Sequence, residues 1–358
     1  MVEPGGNPVD QTLAERTGWV QPNTKPVNLA LQGGGSHGAF TWGVIDKLLE
    51  DGRISIEAIS GTSAGAMNAV VIADGMLRGG YEGAREALHD LWLAVSKEGA
   101  KSPIQRNPIN VFLGDWSLDN SPGYLFFDVF TRMVSPYEMN PFNLNPLRTL
   151  LEEQVDFERL RHCTQSKLFV SATNVHSGRV RVFKTWEITA DVVMASACLP
   201  FMFQAVEIDG VPYWDGGYMG NPVLFPFFDS CASADVLLVQ INPVERAETP
   251  KTAREILNRV NEITFNASLM KEFRAIEFVA RLIDSGKLDP ADYKQIILHR
   301  IQDDEALQPL SASSKLNAEW SFFKHLRDAG QAAAQRWLDE NYDQVGQQSS
   351  VDIKPLFK

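Results

Sequence analysis

The sequence predicts an α/β layer fold: a mostly parallel central sheet with helices on both faces, then a mainly helical C-terminal extension. Three observations carry this. Residues 27–59 read strand–helix–strand over about 35 residues, the length of a βαβ unit, which makes two parallel strands by a right-handed crossover. Strands and helices keep alternating after a proline- and aromatic-rich break at 101–147. Residues 235–241 contain the apolar run Val236-Leu237-Leu238-Val239, suited to a strand buried on both faces.

Taken in order, residues 1–26 are polar and dotted with Pro and Gly, and read as a tail. Residues 27–32 alternate apolar and polar like a strand and stop at three glycines. From 38 to 50, Phe40, Val44, Leu48 and Leu49 recur at helical spacing, and Asp51-Gly52 closes the helix. Residues 54–59 alternate again as a second strand. A helix follows over 63–73, and another around Ala84, Leu88, Leu91, Trp92 and Val95. The stretch 101–147 carries six prolines among eight aromatics; it reads either as a lid-like insertion or as a helical insertion packing its aromatics into the core. Strands at 167–173 and 179–184, a short helix at 191–197 and a hairpin about Asp209-Gly210 come next. Beyond about residue 250 lie a long amphipathic helix (253–282), a strand (295–301) and a terminal helix (317–341). These helices are expected to pack on the same core. The expected divisions are a tail at 1–26, a main α/β domain at 27–245 and an extension at 246–358.

The chain has 358 residues with 33 Lys+Arg against 45 Asp+Glu, a net charge of −12. That balance argues against a phosphate-tracking nucleic-acid binder, which needs a basic face. Hydrophobic residues make up 44%, enough for a sizeable core. Cys163, Cys198 and Cys231 form no C-x-x-C pair, so neither a disulfide framework nor a zinc site is expected. No secretory leader is visible and no apolar run approaches the roughly 18 residues of a membrane span. A cytoplasmic protein is the expectation.

Two motifs bear chemistry. Gly61-Thr62-Ser63-Ala64-Gly65 is a G-x-S-x-G between a predicted strand and helix. There a sharp turn projects the serine hydroxyl, and the Ala64 amide at the helix start points toward any oxyanion formed on it. Gly33-Gly34-Gly35-Ser36-His37-Gly38 also joins a strand to a helix, and its successive amides can form an anion-binding concavity. Parallel pairing brings both loops to one C-terminal sheet edge, where ligands bind in open α/β sheets. The same glycines fit the dinucleotide fingerprint, with Glu57 as its acidic residue; yet Glu57 falls inside a strand that runs into Ser63. As a base for the serine, none of the six histidines stands out; a triad would use His299 or His325. Asp215, in Tyr213-Trp214-Asp215-Gly216-Gly217, reads on spacing alone as a plain turn.

Together, Gly33–Gly38, Gly61–Gly65 and Asp215-Gly216-Gly217, in that order, resemble the patatin-like phospholipase family. The stretch Ala195-Ser196-Ala197-Cys198-Leu199-Pro200-Phe201 is similar to the segment that precedes the family's aspartate. The resemblance spans about residues 25–245 and implies a three-layer patatin-like fold. It also implies a Ser–Asp dyad, with Ser63 as nucleophile and Asp215 as general base. The amides of Gly33, Gly34, Gly35 and Ala64 are then the oxyanion-hole candidates, supported by His37, Gly38, Gly61, Gly65, Gly216 and Gly217. His37 departs from the family's usual Arg or Lys, which puts rate and pH dependence in question more than the reaction type. The implied activity is lipid acyl-ester hydrolysis of phospholipase A or lysophospholipase type, with no metal or organic cofactor. Acyl transfer, other acyl esters and non-catalytic lipid or nucleotide binding are the alternatives. The implied partner is a lipid or other acyl ester, met at a membrane through apolar groups such as those of 101–147. Head group, chain length and oligomeric state are left open.

Overall fold

The computed structural model describes residues 19–246 and 248–357. Most of the expected N-terminal tail (1–18) lies outside the described residues. Trp19 is buried against the core, and the first strand starts at Lys25.

The strands are β1 (Lys25–Leu31), β2 (Ile54–Gly61), β3 (Lys167–Asn174), β4 (Val180–Lys184), β5 (Val206–Ile208), β6 (Val211–Asp215), β7 (Asp235–Val239) and β8 (Ile297–Ile301). They form one mixed sheet in the order β5-β6-β3-β2-β1-β7-β8, with β4 also paired to β3. The run β3-β2-β1-β7-β8 is parallel throughout. The helices are α1 (Gly38–Asp51), α2 (Ala64–Gly99), α3 (Pro108–Leu113), α4 (Pro122–Met133), α5 (Pro136–Met139), α6 (Pro146–Gln154), α7 (Phe157–Arg161), α8 (Ala190–Ser196), α9 (Pro226–Ser230), α10 (Ala253–Asp284), α11 (Asp304–Leu307) and α12 (Trp320–Asn341). α2 holds the two helices expected over 63–95, which meet at a kink at Gly79-Gly80, where the backbone leaves the helical region and Gly80 takes φ +61°.

Side chains alternate across a strand, so each central strand feeds two cores. Leu29, Leu31, Leu237 and Val239 point to one face, covered by α1, α2, α8 and α12. Ala30, Val236 and Leu238 point to the other, covered by α9 and α10. The C-terminal third takes part in both layers and adds β8 to the sheet. Contact between α1 and α12 is close: a Cβ at Gly43 would stand 1.9 Å from the Arg327 carbonyl oxygen, and one at Gly330 2.2 Å from that of Phe40.

The insertion is helical, and its prolines explain why. Pro108, Pro122, Pro136 and Pro146 each open a helix behind an Asn or Ser cap. Proline suits the first turn because the amide it lacks has no partner there anyway. Its aromatics mostly do not enter the core: Phe112 is 89% exposed, Phe142 84% and Phe126 70%. Trp116 is the exception, packed on Phe322 and His325 of α12. Arg106 anchors the segment through an ion pair with Glu319 and a stack on Trp116.

Candidate active site

Topology brings the two sequence motifs together. Leu31 pairs with Gly61, so the loops that leave β1 and β2 emerge side by side at the C-terminal sheet edge. β3 supplies the third component. β4 takes one edge of β3 from Phe169 to Thr173, whereas β2 takes the other up to Val170 and β6 continues along it from Ala172. Because β2 and β6 share that edge, Asp215, paired with Ala172, arrives beside the turn that follows Gly61.

At that turn Ser63 has φ 55° and ψ −123°, a strained backbone for a residue with a side chain. The surroundings fix it. The Ser63 amide donates to Ser196 Oγ at 2.8 Å, and Thr62 Oγ1 meets Ser171 Oγ at 2.6 Å and the Gly220 carbonyl at 2.7 Å. Close approach sets the glycine spacing. A Cβ at Gly65 would lie 2.2 Å from the Leu31 carbonyl oxygen, and one at Gly61 2.5 Å from that of Gly65.

Asp215 is buried at the end of β6, and its Oδ1 accepts the Gly217 amide at 2.7 Å. The Ser63 side chain lies on the same carboxylate's side of the turn, close enough to lower its value. Burial pushes the Asp215 carboxyl up to about 7, against the pull of the Gly217 amide, the Ser63 hydroxyl and the Lys315 charge. Tyr218, itself pushed up to about 12 by burial, and Cys198 flank it. Gly216 and Gly217 continue the turn, with Phe265 of α10 packed on Gly217.

The glycine loop packs directly on Ser63: a Cβ at Gly33 would stand 2.7 Å from Ser63 Cβ. One expectation is corrected here, because the Gly33 amide is already bonded to Asn221 Oδ1 at 2.7 Å and is not free to receive an oxyanion. Among the described residues, the amides of Gly34, Gly35 and Ala64 have no hydrogen-bond acceptor. Gly38 holds the loop to α2 by accepting Asn68 Nδ2 at 3.0 Å. His37 is buried on Ser314 Oγ at 2.8 Å, and burial, with Lys315 and Arg246 nearby, holds its imidazole well below the ordinary value.

The alternative bases lie elsewhere. His299 sits between Asp235 at 2.9 Å and Ser350 at 3.0 Å, near the start of β7 and so at the opposite sheet edge from Ser63. His325 is exposed on α12, stacked on Trp116. The dinucleotide reading also fails: Glu57 is buried near the start of β2, accepting the amides of Ala232 and Ser233 and pairing with Lys167. Among the described residues no three His, Cys, Asp or Glu side chains gather as metal ligands would. Ser196, Asn221 and Asn242 do positioning work that no local sequence signal reveals; only the similarity of the stretch around Ser196 points toward one of them.

No curated protein sequence matches the chain. Among solved structures it is similar to VipD from Legionella pneumophila, at 18% identity and a TM-score of 0.33, over 86% of this chain and 67% of that one. It is also similar to ExoU of the Pseudomonas aeruginosa type III secretion system, solved in complex with SpcU, at 15% identity and a TM-score of 0.31. That match covers 88% of this chain but 53% of ExoU, so the chain spans about half of ExoU's length. The family model for patatin-like phospholipase matches residues 29–228, more than half of the chain and a span that holds both glycine motifs, Ser63 and Asp215; the chain belongs to the patatin-like phospholipase family.

Proposed function

We propose that the protein is a lipid acyl-ester hydrolase, of phospholipase A or lysophospholipase type, working through a Ser63–Asp215 dyad. The observation that carries the reading is the placement of Ser63 beside the buried Asp215 carboxylate, whose basicity burial raises toward neutrality. A carboxylate at its ordinary value near 4 is a weak base at pH 7; one at about 7 matches the task.

In the proposed cycle Ser63 Oγ attacks the ester carbonyl as its proton passes to Asp215. The oxyanion is received by the amides of Gly34, Gly35 and Ala64, which need no reorganisation because the loop and helix start already hold them. Collapse expels the alcohol, which takes the proton from Asp215 and leaves an acyl-Ser63 ester. Water then attacks that ester, giving a proton to Asp215. The second collapse releases the fatty acid and returns the proton to Ser63. In this reading residues 27–245 carry the reacting groups, and the exposed apolar groups of α3, α4 and the loop at 140–145 meet the lipid surface.

The test is active-site labelling. A serine-directed fluorophosphonate is expected to label Ser63, and Ser63→Ala is expected to abolish both labelling and ester hydrolysis. Labelling that persists in Ser63→Ala sinks the assignment. Asp215→Asn is expected to lower turnover by orders of magnitude, whereas His299→Ala and His325→Ala stay active.

A further inference from the structure

The dyad leaves one charged group at the site unexplained. Residues Ala312–Leu316, outside the matched family span, form a short turn pressed onto the glycine loop. A Cβ at Gly35 would stand 2.5 Å from the Lys315 carbonyl oxygen, and Ser314 Oγ bonds His37. This seat brings the Lys315 ammonium to Asn242 Oδ1 at 2.8 Å, and Asn242 Nδ2 in turn donates to the Gly33 carbonyl at 2.7 Å. A cation is thus tied through one amide side chain to the loop whose Gly34 and Gly35 amides are free.

The groups facing it decide what its charge can do. They are Asp215 across the site, His37 on the loop, Arg246, and Glu262 of α10. Glu262 is already bonded to both Arg246 and Arg259, so its charge is shared by two guanidinium groups. The hydrogen-bond acceptor of Lys315 is a neutral amide. His37, neutral by burial, brings no charge of its own.

We propose that Lys315 is the electrostatic positioning residue of this site: its ammonium, seated on the glycine loop through Asn242, makes that loop favourable for an ester oxyanion. This rests on the Ser63–Asp215 reading. The charge acts through space in a partly buried site, where charges interact more strongly than at the open surface. The Lys315 charge pulls the Asp215 carboxyl down against burial, and Asp215 supports the amine against the lowering that burial imposes.

The experiment compares Lys315→Gln, Lys315→Met and Lys315→Arg in the full chain, on a short neutral p-nitrophenyl ester from pH 5 to 9. Thermal melts establish that each variant is folded. Gln preserves a donor to Asn242 and removes only the charge, so it decides if Met fails to fold. The expected result is a fall in kcat of about 10- to 100-fold in Gln and Met with KM nearly unchanged. The midpoint of the rising pH limb should move upward, and Arg should recover most of the rate. Wild-type kcat and midpoint in the Gln variant, or an Arg variant as slow as Met, overturns the proposal. Fluorophosphonate labelling of the wild type separates the two readings. A labelled Ser63 with an unaffected Gln variant refutes Lys315 alone, whereas an unlabelled wild type removes the dyad and this inference with it.

Discussion

The backbone amide of Ser63 donates to the side chain of Ser196 at 2.8 Å, joining the turn after β2 to the last residue of α8. Ser196 is fully buried, and Ser63 is held at φ 55°, a conformation that costs on the order of 1–3 kcal/mol. Without that acceptor the amide is left unpaired and the turn is free to relax. Ser196→Ala is therefore expected to lower kcat about tenfold or more with little change in KM. It should also cost about 1–2 kcal/mol of stability. Steady-state kinetics on a soluble ester and denaturant melts check both, and an unchanged kcat in a folded variant shows that the turn holds itself.

Asp215 links activity and stability to pH with opposite signs. As the proposed base it must be ionised, so kcat/KM on a soluble ester should rise with a midpoint near 7. For stability, its folded value of about 7 lies above the ordinary unfolded value near 4. Between those values the folded chain holds a proton that the unfolded chain has lost, so stability falls as pH rises through the window. Asp215→Asn removes that loss. Its melting temperature should exceed the wild type's by more at pH 8 than at pH 5, while activity is lost. Glu272, also pushed up to about 7 by burial, acts equally in both proteins and cancels in the comparison. A melting difference independent of pH argues against the raised Asp215 value.

Much of this site was legible in the sequence because its key steps are local. A strand that ends in three glycines, and another that ends in Gly-Thr-Ser-Ala-Gly, fix where the chain turns and which amides are exposed. Asp215 was not legible on spacing, since its proximity to Ser63 depends on β2 and β6 sharing one edge of β3, and the β2–β3 pairing alone joins segments more than 100 residues apart. The engaged Gly33 amide and the Lys315 seat depend on Asn221, Asn242 and Ser314, equally remote in sequence. In the insertion, prolines that signal breaks when taken singly become helix starts once paired with the Ser or Asn before them. The burial of α12 against α1 shows the same limit: amphipathicity predicts that a face is covered, not by what.

The α1–α12 contact gives a test of whether the C-terminal third belongs to the folding unit. Gly43 and Gly330 let the two backbones approach more closely than any side chain allows. Gly43→Val forces a branched side chain against the Arg327 backbone and should destabilise the whole chain by about 3 kcal/mol, at the upper end of overpacking effects. A single cooperative transition shifted to lower temperature is the expected melt. A separate early transition, with ester hydrolysis retained above it, indicates instead that α12 is dispensable to the catalytic part.

In the proposed reading, the exposed aromatics of the insertion bear on how a lipid reaches Ser63. Phe126 and Phe130 stack on each other along α4, with Phe112 and Phe142 nearby in the chain and largely exposed. The segment touches the loop that supports Asp215: Gln204 Nε2 donates to the Asn140 carbonyl at 2.7 Å, and the Ala205 amide donates to the Tyr137 hydroxyl. Among the described residues no helix is long and apolar enough to cross a membrane. The net charge of −12 argues against attraction to anionic lipid as the drive for the proposed lipid contact, and leaves burial of apolar area to supply it. Burying a phenylalanine side chain contributes about 1.5–3 kcal/mol, so replacing two of them should be readily measured. Phe126→Ser combined with Phe130→Ser is expected to weaken binding to neutral phosphatidylcholine vesicles at least tenfold, while hydrolysis of a soluble ester stays within about twofold. Raising the salt should change wild-type binding little. Vesicle binding that collapses in salt, or that survives the double substitution unchanged, would place the lipid-contacting surface elsewhere on the molecule.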